Sequence, residues 1–201
     1  MSMEYTILSD VDGVLEDLVT PWVYALDEKY GRDVKPSDIV GWNICQFFEG
    51  LSKTQVFSPL HEKSFWEKLE PREDAQEYIK KLQERDDRVI LVTSAHPDTV
   101  PYKWSWINRH FPMLAFRDII IANEKQRICG DILIDDAPQN LIGSNYAKFL
   151  FTATHNRDFN IAPYEDMYRV DDWREVYDVI DAFHAVEFGK WIECDNEYTQ
   201  W

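Results

Sequence analysis

A chain of 201 residues, 45% of them hydrophobic, is long enough to bury one sizeable core, as a single domain or as a domain carrying a small insert. Its formal net charge of −16 repels polynucleotide backbones and anionic membranes, so an anionic substrate would have to be held by a local positive device. No run of about 18 apolar residues could cross a bilayer, the opening MSMEYTILSD lacks the basic stretch of a signal peptide, and three widely spaced cysteines, Cys45, Cys129 and Cys194, read as free thiols in a reducing, cytoplasmic setting.

In chain order, five short apolar runs are predicted strands: residues 5–10 (YTILSD), 88–94 (RVILVTS), 118–122 (DIIIA), 131–135 (DILID) and 148–152 (KFLFT). Continuous rather than alternating apolar runs suit strands covered on both faces, as in a parallel sheet. Helices are expected over 71–85, over 99–111, in a short piece after Pro138, and over 172–188. Strand–helix alternation of this kind predicts an α/β fold with a doubly wound, mostly parallel sheet of order 3-2-1-4-5.

One connection is too long. The helix at 71–85 can carry the chain from the first strand to the second, which leaves residues 18–70 surplus. Helix signals recur there: PWVYALDEKYG, Ser52 ahead of KTQVF, and Ser58-Pro59 opening LHEKSFWEKL. They predict a small helical cap inserted after the first strand, with residues 1–17 and 71–201 forming the α/β core. The tail WIECDNEYTQW is acidic and aromatic, and reads as a docking segment for the body or for a second copy in a homodimer.

In such a sheet, ligands bind beyond the carboxyl ends of the strands, where the strand order reverses. Four sequence regions are expected to meet there: Asp10 and Asp12 after the first strand, Thr93 and Ser94 at the end of the second, Lys125 in the loop entering the fourth, and Asp135 and Asp136 after the fourth. Their chemistry is coherent. Clustered carboxylates repel one another, and a hard divalent cation such as Mg²⁺ relieves that repulsion. The hydroxyls of Thr93 and Ser94 and the ammonium of Lys125 suit the oxygens of a phosphate. A carboxylate such as Asp10 can attack phosphorus without first losing a proton, and Asp12 can serve as general acid. Gly13 lets the chain turn between them. As an EF-hand the DVDG stretch fails, because its glycine comes too early in the loop.

With these residues in place, the chain resembles the haloacid dehalogenase-like (HAD) phosphohydrolases. DVDGVL is similar to their first motif, LVTS to the second, Lys125 to the third and DILIDDAPQN to the fourth. More narrowly, VTS, PYKWSWINRHF, LIDD and FLFTATHN resemble segments of the 5′(3′)-deoxyribonucleotidases. The resemblance implies a HAD-like Rossmannoid core and a Mg²⁺-dependent phosphatase of (deoxy)nucleoside monophosphates. It also implies that Asp10 becomes an aspartyl-phosphate and that Asp12 is acid and then base. Mg²⁺ would be held by Asp10, the Asp12 carbonyl and Asp136, with Asp135 behind them, and Thr93, Ser94 and Lys125 would bind phosphate. Where the narrower family often has an aromatic and an arginine, this chain has Leu18 and Asn123.

Leu18, Trp22, Trp42, Phe47 and Phe48 of the insert are candidates to contact a base; the competing reading is that the aromatics fill the insert's own core. The histidines His61, His96, His110, His155 and His184 show no metal-ligand spacing. The expected substrate is a small nucleotide, not a polynucleotide or a membrane. A sugar phosphate is the near alternative. A receiver-type domain reverses the order of acid pair and acceptor, and a catalytically dead relative would not be expected to keep every motif residue.

Overall fold

The computed structural model describes residues 4–198, and the side chains of residues 4–186. Six parallel strands form one sheet: β1 (Thr6–Ser9), β2 (Arg88–Thr93), β3 (Ile119–Ile121), β4 (Ile132–Asp135), β5 (Ala147–Phe151) and β6 (Met167–Val170). Their order is β3-β2-β1-β4-β5-β6, so the expected five-strand order holds and a sixth strand extends it. The sequence reading lacks β6 because its run, MYRV, is four residues long, half-buried and interrupted by Arg169. It pairs with β5 from Lys148↔Met167 to Phe151↔Val170.

The apolar runs are covered on both faces by alternation. Ile7, Val89, Leu91, Ile132, Ile134, Phe149 and Phe151 point to one face, where helices and the insert pack. Leu8, Ile90, Val92, Leu133 and Leu150 point to the other, which is closed by Leu141, Tyr146 and the loop residues Phe159, Ile161 and Tyr164. The second face therefore has loops and one short helix, α6 (Pro138–Leu141), where a symmetric doubly wound sheet has long helices.

On the first face lie α4 (Ala75–Glu84), α5 (Val100–His110) and α7 (Trp173–Tyr198). Helix α4 buries Ala75, Ile79 and Leu82, the one-face spacing of an amphipathic helix. Helix α7 buries Trp173, Val176 and Ile180 and runs past residue 188 to Tyr198. The tail predicted to dock a partner, including Cys194, lies outside the described side chains. Cys45 and Cys129 are free thiols.

Residues 18–70 contain α1 (Val19–Tyr30), α2 (Lys53–Phe57), α3 (Lys63–Lys68) and intervening 3₁₀ turns. Gly31 ends α1 in the left-handed region at φ 62°, with its N–H on the Asp27 carbonyl. Ser52 caps α2 in a reciprocal capping box with Gln55. The insert does not stand apart: Trp22, Val23, Leu26, Phe48 and Trp66 belong to the same apolar cluster as the sheet's first face. An indole N–H stitches the join, Trp106 donating to the Leu69 carbonyl, and within the core Trp173 donates to the Val14 carbonyl. Among the described residues no helix is long and apolar enough to cross a membrane.

Candidate active site

Because every strand is parallel and β1 lies between β2 and β4, the carboxyl ends of these three strands open on one crevice. The Asp10 N–H donates to the Ile134 carbonyl at 2.9 Å, so the ladder holds the chain for one residue beyond β1. Val14 and Leu15 then donate to the Val11 carbonyl, which turns the chain back at Gly13. Gly13 has φ 79°, and a Cβ there would stand 2.0 Å from Asp136 Oδ2. Any side chain at this position would displace the acid, so the glycine is required by both conformation and close approach.

The four predicted regions do meet. Lys125 is 1% exposed, and its Nζ lies 2.6 Å from Asp10 Oδ2 and 2.6 Å from Asp135 Oδ2. Burial alone would lower the lysine's pKa; the two carboxylates outweigh that and raise it. Burial pushes the Asp10 carboxyl up to about 8, with Lys125 pulling it down and Asp135, Asp12 and Asp136 adding to the rise. Asp136 is likewise raised, first by burial, against the hydrogen bond from His155.

The two acids after β4 differ in how their oxygens are used. Asp135 is saturated: Oδ2 accepts from Lys125, and Oδ1 from the Ala137 N–H at 2.9 Å and the Asn140 amide at 3.0 Å. Asp136 Oδ1 is buried without a partner, and so is Asp12 Oδ1. Orphaned buried carboxylate oxygens are costly unless a ligand completes them. One carboxylate oxygen from each of Asp10, Asp135 and Asp136 lies within 4.8 Å of the others. An all-oxygen, acid-rich donor set of this kind fits a hard divalent cation such as Mg²⁺.

Thr93 and Ser94 sit at the end of β2, but only Ser94 reaches the cavity wall. The Thr93 hydroxyl is buried and accepts from Lys103 Nζ at 2.9 Å. Lys103 itself escaped the sequence reading. It projects from α5, is 3% exposed, and also donates to Asp12 Oδ2 at 2.6 Å and to the Ser94 carbonyl at 2.8 Å. Its signal was a cation within an otherwise apolar-faced helix, three places before a buried tryptophan, and nothing local distinguishes that from a snorkelling lysine.

Glu16 is a second omission. It is fully buried beside Asp12, and burial first, then the Asp12 charge, pushes its carboxyl well above the usual range. Asp17, by contrast, is exposed and accepts from the Thr20 N–H and hydroxyl at the start of α1. His155 and Asn156, in the THN segment, clasp Asp136 from β5's side. His155 Nε2 is 3.2 Å from the Asp136 carbonyl and 3.3 Å from Oδ2, and the Asn156 amide donates to the same carbonyl at 2.7 Å.

Above the acids lies a cavity of about 910 Å³, open to solvent and walled by the insert. Leu18, Trp22 and Trp42 line it, and so does Asn123. Trp22 is held edge-on to Phe57, with its indole N–H on the Val56 carbonyl at 2.7 Å. Trp42 is exposed and meets the His155 ring edge-to-face at 5.3 Å. The other two aromatic candidates do not reach the cavity: Phe48 is 1% exposed in the core, and Phe47 packs against that core. Their places are taken by Phe57 and Trp66, which the sequence reading did not single out.

The family model described as 5′ nucleotidase, deoxy (pyrimidine), cytosolic type C protein matches residues 4–187. A 5′(3′)-deoxyribonucleotidase of Clostridium acetobutylicum is 31% identical over 170 residues, covering 85% of this chain and 91% of that protein. One from Bacillus subtilis is 29% identical over 175 residues, covering 87% and 97%. Among solved structures, a putative HAD-hydrolase from Bacillus subtilis bound to magnesium matches with a TM-score of 0.56 at 16% identity, covering 89% of this chain and 100% of that one. A hydrolase from Pseudomonas syringae matches with a TM-score of 0.55 at 15% identity, covering 90% and 99%. At such identities the structural matches speak for the fold alone, whereas the family model spans nearly the whole sequence. The chain therefore belongs to the family of the cytosolic type C 5′ nucleotidases, deoxy (pyrimidine), phosphoric monoester hydrolases, and has the fold of the HAD-like hydrolases.

Proposed function

We propose that the chain is a Mg²⁺-dependent phosphatase of deoxynucleoside monophosphates, working through an aspartyl-phosphate on Asp10. The observation that carries the proposal is the orphaned buried oxygen of Asp136, in an acid whose carboxylate stands within 4.8 Å of an Asp10 that Lys125 holds at 2.6 Å. Asp10, the Asp12 carbonyl and Asp136 would hold the metal, and the saturated Asp135 would orient Lys125 from behind. Bound Mg²⁺ would offset the acid cluster and polarise the phosphoryl group.

In this reading the Asp10 carboxylate attacks phosphorus while Lys125 and Ser94 steady the phosphoryl oxygens. Thr93, engaged with Lys103, would reach those oxygens only by rotating its hydroxyl. The bond from phosphorus to the ester oxygen breaks, and Asp12 gives that oxygen its proton. Asp12 then takes a proton from water, which attacks the acyl phosphate, frees Asp10 and releases phosphate. Lys103, bonded to Asp12, Thr93 and the Ser94 carbonyl, positions the acid against the end of β2.

Residues 18–70 act as the cap, with residues 1–17 and 71–201 as core, and the cap supplies the selecting wall. Trp22 and Trp42 offer flat apolar surface and Leu18 an aliphatic one to a base, and the acid floor with Lys125 suits the phosphate end. The curated relatives' names favour a deoxynucleotide over a sugar phosphate. The test is an acid quench of the enzyme turning over deoxyuridine monophosphate with Mg²⁺, followed by peptide mass analysis. Phosphate on Asp10 is expected. Turnover with no trapped acyl phosphate at Asp10 under any quench time would reject the covalent route.

A further inference from the structure

Two histidines stand at the rim of the same cavity, and the catalytic proposal uses neither. His61 closes the 3₁₀ turn Ser58–His61 of the insert, and His96 precedes the turn Pro97–Thr99 after β2. Their rings lie 5.1 Å apart, centroid to centroid, at 63°. His96 Nδ1 accepts from the Asp98 N–H at 3.3 Å, which sets that ring, and lies 3.6 Å from Asp98 Oδ2. One ligand atom from each of His61, His96 and Asp98 falls within 4.8 Å of the other two, and all three residues are exposed.

We propose that His61, His96 and Asp98 bind a borderline divalent transition cation such as Zn²⁺, which ties the insert to the body across the mouth of the cavity. Two imidazoles and a carboxylate are the donor set that Zn²⁺, Co²⁺ and Ni²⁺ prefer, whereas the acids below suit a hard cation. The two sites are therefore distinguished by ligand type. Three protein ligands with an open fourth position are common for Zn²⁺, with ligand bonds of about 2.0–2.2 Å. Sequence spacing gave no sign of this site, because one ligand lies in the insert and two lie beyond β2.

Binding does not depend on the phosphatase reading; only the expected effect on turnover rests on it, since a cation joining the two sides would hinder passage of substrate and product. The test titrates the full-length chain with Co²⁺, and then with Zn²⁺, in excess Mg²⁺ so that the acid cluster is filled. The wild type should take up one cation, with the visible absorption of low-coordinate Co²⁺. His61→Ala and His96→Ala should each weaken binding by at least the roughly 10–100-fold that loss of a ligand's supporting partner costs, and Asp98→Asn should weaken it less. Zn²⁺ should slow nucleotide hydrolysis in the wild type at the concentration that fills this site, and His61→Ala should lose that inhibition. Equal Co²⁺ affinity in the wild type and both histidine variants would overturn the site. Inhibition that persists in His61→Ala would overturn the clamp and assign the effect to the acid cluster. Ligand-dependent Co²⁺ binding in a chain that hydrolyses no phosphate ester would leave this site standing and remove the phosphatase reading instead.

Discussion

The floor and the wall of the cavity are built on different principles. The floor is made of strand ends: Asp10, Asp12, Ser94, Asp135 and Asp136 lie in or within three residues of β1, β2 or β4, and the Asp10 N–H still bonds into the ladder at the Ile134 carbonyl. The wall is made of helix faces and 3₁₀ turns, where Trp22 faces the cavity and Phe48 faces the core. A floor residue is placed by backbone registration, so its identity is tied to the chemistry. A wall residue is placed by packing, so its identity is tied to shape. The proposed division of labour follows: reaction below, choice of substrate above.

The sharpest way to break that division is at the floor. Asp10→Asn should lower kcat by on the order of 10⁴-fold or more, the scale reached when a nucleophile is removed, with circular dichroism unchanged. Near-normal turnover of this variant would mean that the reacting group lies elsewhere. Asp12→Asn should cost about 10²–10⁴-fold, the range for a general acid–base residue. The loss should be greatest for poor leaving groups, which a comparison of alkyl and nitrophenyl phosphates would measure.

The wall is tested more gently. Trp42→Ala should lower kcat/KM for deoxynucleotides by about ten- to hundred-fold, as expected for a lost stacking contact of roughly 1–3 kcal/mol. Hydrolysis of a small aryl phosphate should change little. Phe47→Leu, away from the cavity, should leave the ratio of the two substrates alone. If Phe47→Leu and Trp42→Ala shift that ratio equally, shape and selection are not separable in this wall.

The remaining test concerns linkage between metal and floor. Burial raises the Asp10 carboxyl to about 8 from a usual 3.8, so without metal the folded state holds a proton that the unfolded chain has lost. Metal-free stability should therefore fall as pH rises through that interval, because the folded state binds more protons there. Mg²⁺ needs the ionised carboxylate, so its stabilising shift in Tm should grow as pH approaches about 8. Thermal melts with and without Mg²⁺ across this range check the sign. A Mg²⁺ shift that shrinks with rising pH would contradict it.

The sequence alone carried the strand runs, the order of the first five strands and the four regions whose acids, hydroxyls and lysine meet at their ends. It could do so because a parallel sheet buries continuous apolar runs and opens its ligand site where those runs stop, so motif and geometry coincide within a few residues. The rest depends on contacts made only in the folded chain. Short β6 needed its neighbour β5 to be a strand at all, since MYRV carries no hydrophobic run of its own. Lys103 became part of the floor because α5 brings it to Asp12 across 91 positions of sequence. The saturation of Asp135 and the orphaned oxygen of Asp136 separate two adjacent aspartates that composition cannot tell apart. Which aromatics of the insert face the cavity, and that His61 meets His96, depend on how short turns pack against the body. Such contacts join residues far apart in the chain, and their energy lies in side-chain packing that no local pattern encodes.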